Sequence, residues 1–459
     1  MALSFQFIFP FFFSAFAYLM YKDIKNGIYA VIFLLPTYLL RFTLFNIPTT
    51  VLEMMIYILF LLWLSKNGNK PDTSRSVGGF YKKEKLLSWG IVLLFVGVIL
   101  STVNSSDLRT SLGILKGWFV DPFLFFWVFA SVIKDQRQLA NVFWGLILSG
   151  LVVALIGGGY ALSDSLTFDG RLGAFYESPN YLAMYLSPAF LFAVYFFVFQ
   201  ENAFLSFRTD VRNSSLAKKY NIACPSAVKE VFSVRGLFLR SSDFVQNDKK
   251  IQATILLVLI TVIFLTKSYG AVLGIVVALF CFLLKRYQGK NTHFFSDNKK
   301  TLIFVSAIAL VMFSSLSYQK YEQIVNSNER SSFHSRLMIW DASREMLKDN
   351  PIFGIGPGTF QEVYLDYQGR FSVPYLEWAV AEPHNIFLAF YLQSGIIGFI
   401  GFLLILFWFC KKARTSDIVF LFLIYFLIHG LVDTLYWKND LAMIFWLAAG
   451  IGYLSSSKK

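Results

Sequence analysis

The sequence predicts an all-α protein that crosses a membrane many times, and three observations carry that prediction. Hydrophobic residues make up 56% of the 459 residues and charged residues only 15%, more apolar surface than a water-soluble fold of this length can bury. The apolar residues gather into runs at 4–20, 27–45, 50–64, 87–103, 111–133, 139–160, 180–200, 251–266, 270–284, 301–317, 385–409, 418–435 and 440–455. Most of these approach the ~20 residues that a helix needs to cross a bilayer, so about 12–14 transmembrane helices are expected. Finally, the basic residues crowd into alternate connections between the runs.

The first run has neither a basic leader nor a small-residue cleavage site and reads as a retained helix. Runs 27–45 and 50–64 follow as the second and third spans. Lysine and arginine then fill 65–86 (Lys66, Lys70, Arg75, Lys82, Lys83, Lys85), 201–250, 285–300 and 411–417, joined by Lys22, Lys25, Lys134, Arg137, Lys458 and Lys459. The positive-inside rule puts these connections in the cytoplasm and the N-terminus outside. The net charge of +13 therefore reports topology and attraction to anionic lipid, and no nucleic-acid partner is expected. Cys224, Cys281 and Cys410 have no metal-ligand spacing and no disulfide framework.

The same alternation leaves three segments facing outward: the short connection 161–179, the long segment 318–384, and the turn Tyr436-Trp437-Lys438-Asn439-Asp440. The expected organisation is an N-terminal bundle over 1–317, a large extracytoplasmic loop over 318–384, and C-terminal transmembrane helices over 385–459. The inward segment 201–250 mixes charge signs without periodicity and reads as a solvated loop. Within the large loop, Ser335 to Lys348 alternates apolar Leu337, Met338, Trp340, Ala342, Met346 and Leu347 with charged residues. It reads as an amphipathic helix lying in the interface plane, ended by Asn350-Pro351 and followed by the turn Gly354-Ile355-Gly356-Pro357-Gly358.

Ionisable residues inside spans are costly and tend to be paired or functional. Arg41, Glu53, Lys116, Asp121, His429 and Asp433 are of this kind. His429 and Asp433, four apart on one helix face, read best as an interhelical polar clamp, while Lys116 is equally open to a structural or a functional role. Arg171 stands between glycines in the loop 161–179, just before Pro179-Asn180 opens a helix. Its fork suits phosphate oxygens, and the helix start at Asn180 would add a positive dipole end; the alternative is a headgroup contact. Arg336 is a second phosphate candidate, with Arg330, Arg344 and Arg370 competing for the role.

His384 is one of only four histidines and sits at the mouth of an apolar helix, beside Asn385 and ahead of Gly395 and Gly398. It could cap that helix, or take a proton near neutral pH. Gly395 and Gly398 would allow close helix packing behind it. There is no Walker loop, no zinc signature, no Gly-x-Ser-x-Gly elbow and no outward Asp-x-Asp. The expected chemistry needs neither metal nor nucleotide, and no cofactor.

His384-Asn385, nine residues, then Gly395-Ile396-Ile397-Gly398 resembles the signature of the O-antigen ligase and O-antigen polymerase superfamily, in its ligase-like branch. Gly170-Arg171-Leu172-Gly173 through Pro179-Asn180 is similar to the family's arginine loop, and Ser335-Arg336 through Trp340 to the start of its large periplasmic loop. One departure is the run Thr266-Lys267-Ser268, where family members often carry a Ser-Arg pair. The resemblance implies a GT-C-like, inverting, metal-independent glycosyltransferase of the bacterial inner membrane with its site facing the periplasm or cell exterior. It implies a glycan donor on undecaprenyl diphosphate and a lipid or glycan acceptor, or a protein hydroxyl. It makes His384 the catalytic base and Arg171 and Arg336 the diphosphate ligands; Asn385, Lys116 and Asn180 are expected as supporting residues from their own positions in the sequence. A polymerase or protein O-oligosaccharyltransferase would use nearly the same parts. A lipid-linked glycan transporter, the more distant alternative, would call for an internal repeat, and the sequence shows none.

Overall fold

The computed structural model describes residues 2–67, 83–213, 249–288, 332–368, 370 and 380–455. The chain opens with α1 (Ala2–Lys22) and α2 (Ile24–Phe33), the latter capped by Asp23, whose side chain accepts from the Lys25 N–H. The run 27–45, expected as a single span, is not one. Pro36 cannot continue the helical ladder and biases Leu35 away from helix, so α2 gives way to a 3-10 turn over Leu35–Leu39. A hairpin follows, β1 (Arg41–Leu44) against β2 (Ile47–Thr50), with Leu44 opposite Ile47. Phe45 and Asn46, both at positive φ (49° and 64°), form the two-residue turn whose twist matches the strands.

The remaining elements are α3 (Val51–Asn67), α4 (Lys85–Val103), α5 (Leu108–Val132), α6 (Gln136–Leu162), α7 (Pro179–Asn213), α8 (Lys249–Leu265) and α9 (Tyr269–Gln288). After them come α10 (Ser332–Asp349), α11 (Phe360–Gln368), α12 (Ile386–Ala413), α13 (Asp417–Gly430) and α14 (Asn439–Ser455). Among the described residues six helices are long and apolar enough to cross a bilayer, namely α4, α5, α6, α7 over Pro179–Phe197, α9 over Tyr269–Tyr287, and α12; α2 and α13 are shorter apolar helices. The fold is an all-α polytopic membrane protein. Helix α7 runs on to Asn213, so the head of the expected loop 201–250 is helical. Residues 214–248, the run 301–317, the segment 318–331 (with Arg330) and 371–379 lie outside the described residues.

Helices α4 and α12 meet backbone to backbone. A Cβ placed on Gly97 would lie 2.0 Å from the Gly398 nitrogen, and one on Gly401 would lie 2.3 Å from the Leu94 nitrogen. Small residues on both helices permit this approach. Gly398 thus packs as its position in the sequence suggests, but Gly395 does something else. At φ 64° and ψ −178° it interrupts α12. The Leu392 carbonyl, released from the helical ladder, accepts from Ile355 N–H at 2.7 Å, and Ile396 N–H reaches the Ile352 carbonyl at 3.0 Å. The turn that follows α10 is therefore docked onto the break in α12. Gly354 sits so close that a Cβ there would be 2.1 Å from the Leu392 oxygen.

Helix α10 does not lie with its apolar face in lipid. Met338, Ile339, Ala342 and Met346 pack with Ile355, Phe360, Tyr364 and Leu392 into a cluster of their own, so α10, α11 and the broken helix α12 share a small core beside the main one. The main core continues under the break, where Phe390 stacks on Phe402 at 3.7 Å and meets Trp437 at 5.3 Å.

Candidate active site

Residues 382–385 form a short irregular bridge into α12, and each of them is held. The Glu382 carboxylate accepts from Gln393 Nε2 at 2.6 Å, the Pro383 carbonyl from Trp340 Nε1 at 3.1 Å. Asn385 is the cap of α12: its Oδ1 accepts from the N–H groups of Phe387 and Leu388, and its Nδ2 donates to the Leu431 carbonyl. Because Asn385 caps the helix, the His384 ring does not. His384 itself has φ 47°, a left-handed conformation that costs on the order of 1 kcal/mol or more for a residue with a Cβ and persists only where its surroundings enforce it.

The His384 ring is spent on Asp433. Nδ1 lies 3.1 Å from Asp433 Oδ1, with the histidine side chain 34% exposed and the aspartate 3%. A carboxylate accepts only, so Nδ1 carries a proton, and it is Nε2 that holds the lone pair whenever the ring is neutral. No described residue engages Nε2. Asp433 lies in the connection between α13 and α14 and also accepts from the Thr434 N–H. Behind it stands His429, whose Nε2 is 4.0 Å from Asp433 Oδ2 and whose Nδ1 meets the Tyr425 hydroxyl at 2.8 Å. Of the His429 and Asp433 pair expected to clamp another helix, Asp433 reaches out to His384 at the mouth of α12, a pairing across 49 positions that no local spacing in the sequence announces, while His429 bonds within its own helix to Tyr425.

Arg171 approaches from another direction. Thr167 organises its loop: the Thr167 hydroxyl donates to the Arg171 carbonyl at 2.8 Å, and Gly170, at φ 65°, turns the chain. The Leu172 N–H pairs with the Leu265 carbonyl at 3.0 Å, which fastens the loop to the end of α8. The guanidinium then donates from Nε to the Thr266 carbonyl at 2.9 Å and from Nη2 to Asn180 Oδ1 at 2.5 Å. Asn180 lies in the first turn of α7, which starts at Pro179, so it aims Arg171 as well as flanking a helix start. Arg336, opening α10, donates from Nε to the Val432 carbonyl at 2.9 Å, one residue before Asp433. Arg171, Arg336 and Asp433 act on one another electrostatically.

Lys267 joins them. It takes a left-handed φ of 48°, and a Cβ on Gly170 would lie 3.5 Å from its Nζ, so the ammonium rests against the arginine loop. Of the competing arginines, Arg344 pairs with Asp341 on an exposed face and Arg370 with Asp349. Lys116 lies elsewhere. Its amine is taken by Glu53 at 2.8 Å and by the Pro48 carbonyl at 2.9 Å, a network that reaches Asn439 rather than His384. At the edge of the site Lys438 pairs with Glu177 at 2.5 Å, and that hydrogen bond holds the Glu177 carboxyl below its usual range.

The site therefore offers a histidine lone pair backed by a buried carboxylate, with two guanidiniums and an ammonium gathered nearby. Of the residues singled out from the sequence, Asn385 adjoins His384, Asn180 bonds Arg171, and Arg171 and Arg336 act on Asp433; sequence reasoning misses Asp433 as the histidine's partner, and an aspartate in an otherwise apolar run was the available signal. Among the described residues no group of three or more His, Cys, Asp or Glu is arranged to hold a metal ion.

Residues 254–403 match the family model described as O-Antigen ligase. The match takes in Lys267, Arg336, His384, Asn385 and the break at Gly395, and leaves Arg171 and Asp433 on either side. A Rickettsia conorii protein provisionally named a polysaccharide ligase is 24% identical over 309 residues, 64% of this chain and 69% of the relative.

Proposed function

We propose that this chain, a membrane protein carrying an O-antigen ligase domain over residues 254–403, moves a glycan from undecaprenyl diphosphate to an acceptor hydroxyl on the outer face of the inner membrane. The observation that carries the reading is the His384–Asp433 pair, whose carboxylate lies within electrostatic reach of Arg171 and Arg336. As the acceptor oxygen attacks the anomeric carbon, His384 Nε2 takes its proton. The new glycosidic C–O bond forms while the bond from that carbon to the diphosphate oxygen breaks, and the diphosphate leaves with the electron pair. Attack from the side opposite the leaving group inverts the anomeric configuration. The departing anion is stabilised by the guanidiniums and the ammonium, and Asp433 stabilises the imidazolium that forms. No metal takes part in this reading.

The outward orientation is supported by the basic residues at the other helix ends, among them Lys66, Lys285, Arg286, Lys411 and Lys412. The test is a reconstituted assay with purified undecaprenyl-diphosphate glycan and lipid A–core, glycan and protein acceptors, each with and without chelator. Transfer to lipid A–core, insensitive to chelator, is expected. Transfer only to a second glycan repeat or to protein would move the assignment to a polymerase or an oligosaccharyltransferase, and loss of activity on chelation would refute metal independence. Flipping of the donor without transfer would make the protein a transporter.

A further inference from the structure

We propose that Glu382, gripped by Gln393, is a positioning residue that fixes His384 in its working orientation, an inference that rests on His384 being the base. Gln393 is fully buried and uses both ends of its amide. Its Oε1 accepts from Gly358 N–H at 2.8 Å, which obliges Nε2 to be the donor toward Glu382 at 2.6 Å. One side chain thus ties the turn docked on the α12 break to the residue two before the histidine. Pro383 stands between, with few backbone freedoms of its own, so the Glu382 anchor is transmitted to the strained His384 backbone. Glu382 is 5% exposed.

Its surroundings decide in which form it acts. The groups facing it are Gln393 from α12, Tyr181 from α7, and Asp433 and Lys438 from the connection before α14. Lys438 is already committed to Glu177, and Asp433 repels a second anion. Burial pushes the Glu382 carboxyl up to about 8, so at neutral pH it is an uncharged acid that accepts from Gln393. The Gln393 hydrogen bond and Lys438 favour the ionised form and Asp433 opposes it, so Glu382 accepts from Gln393 in either form.

The test reads His384 directly, without a glycan. Full-length protein in vesicles is treated with diethyl pyrocarbonate from pH 6 to 9, and modification of the His384 peptide is measured by mass spectrometry against N-acetylhistidine in the same tube. The wild-type rate at each pH is the reference for the variants. Glu382→Gln keeps an acceptor for Gln393, so its rate should match the wild type at each pH. Glu382→Ala and Gln393→Ala should raise it roughly tenfold at every pH, the order expected for losing one buried hydrogen bond. Equal rates in all four proteins would overturn the proposal, as would a Glu382→Gln rate as high as that of Glu382→Ala. Transfer assays run in parallel separate the two readings. The expected pattern is a lower kcat with unchanged KM for donor in Glu382→Ala and recovery in Glu382→Gln. Labelling that behaves as described in a protein with no transfer activity would leave the positioning role standing and sink the proposed reaction.

Discussion

Helix α12 has two halves that meet at Gly395, and they are held in different ways. Beyond the break, Gly97 of α4 has no room for a methyl group against Gly398, nor has Gly401 against Leu94, so this half is fixed by steric contact between backbones. Before the break, the helix is fixed by hydrogen bonds to distant segments: Asn385 to Leu431, Gln393 to Glu382 and Gly358, Leu392 to Ile355. The inner half is a rigid post and the outer half an adjustable mount for His384. Changes in the first should decide whether the protein exists; changes in the second should decide whether it works.

The largest effect expected is on the post. Gly97→Leu forces a side chain into the Gly398 backbone, which cannot yield as a neighbouring side chain would, so the cost exceeds the ~1–3 kcal/mol of ordinary overpacking. No folded protein should be recovered, as read by size-exclusion chromatography in detergent. Next comes the mount. His384→Ala should lower transfer by roughly 10²–10⁴-fold, the range for a general base, with an unchanged elution profile. Asp433→Asn keeps the shape but replaces the charge behind the imidazole. A loss of about ten- to a hundredfold in kcat is expected, from the ~1.5–3 kcal/mol of a hydrogen bond to a charged group. Retention of full activity in either variant would remove the base assignment.

The same contrast explains what could be read from the sequence. Glycine spacing on α12, the Asn385 cap and the Gly170-Arg171 turn are local signals, because each works through its immediate neighbours. Asp433 meets His384 only because α13 returns to the mouth of α12, and nothing near either residue encodes that. The hairpin at 41–50 was hidden for the opposite reason: Leu39, Leu40, Phe42, Leu44 and Phe45 are apolar enough to pass for a span, and only Pro36 and Asn46 mark the turn. The amphipathic pattern of α10 is plain, but whether such a face meets lipid or protein depends on α11 and α12.

Arg171 sharpens the comparison from outside α12. Its guanidinium is aimed by Asn180 and the Thr266 carbonyl, so Arg171→Ala should raise KM for the lipid diphosphate about tenfold. Arg171→Lys should recover little, since a point charge lacks the planar fork that fits these two acceptors and a phosphate together. Dependence of KM on the diphosphate, measured with donors carrying one or two phosphates, separates this from a general loss of order.

Lys116 should give the smallest effect on chemistry and a clear one on stability. Its amine neutralises Glu53, whose side chain is only 6% exposed, in a network reaching Asn439 at the foot of the turn that carries Lys438. Lys116→Met leaves the buried carboxylate without its cation, a change of the kind that costs up to ~3–5 kcal/mol when both partners are fully buried and less here, where the lysine is partly exposed. A lower Tm with kcat within about twofold of wild type is expected. The double variant Lys116→Met with Glu53→Gln should regain much of the Tm, because the unpaired charge is gone. A collapse of kcat in Lys116→Met that the double variant does not repair would instead put Lys116 in the reaction itself.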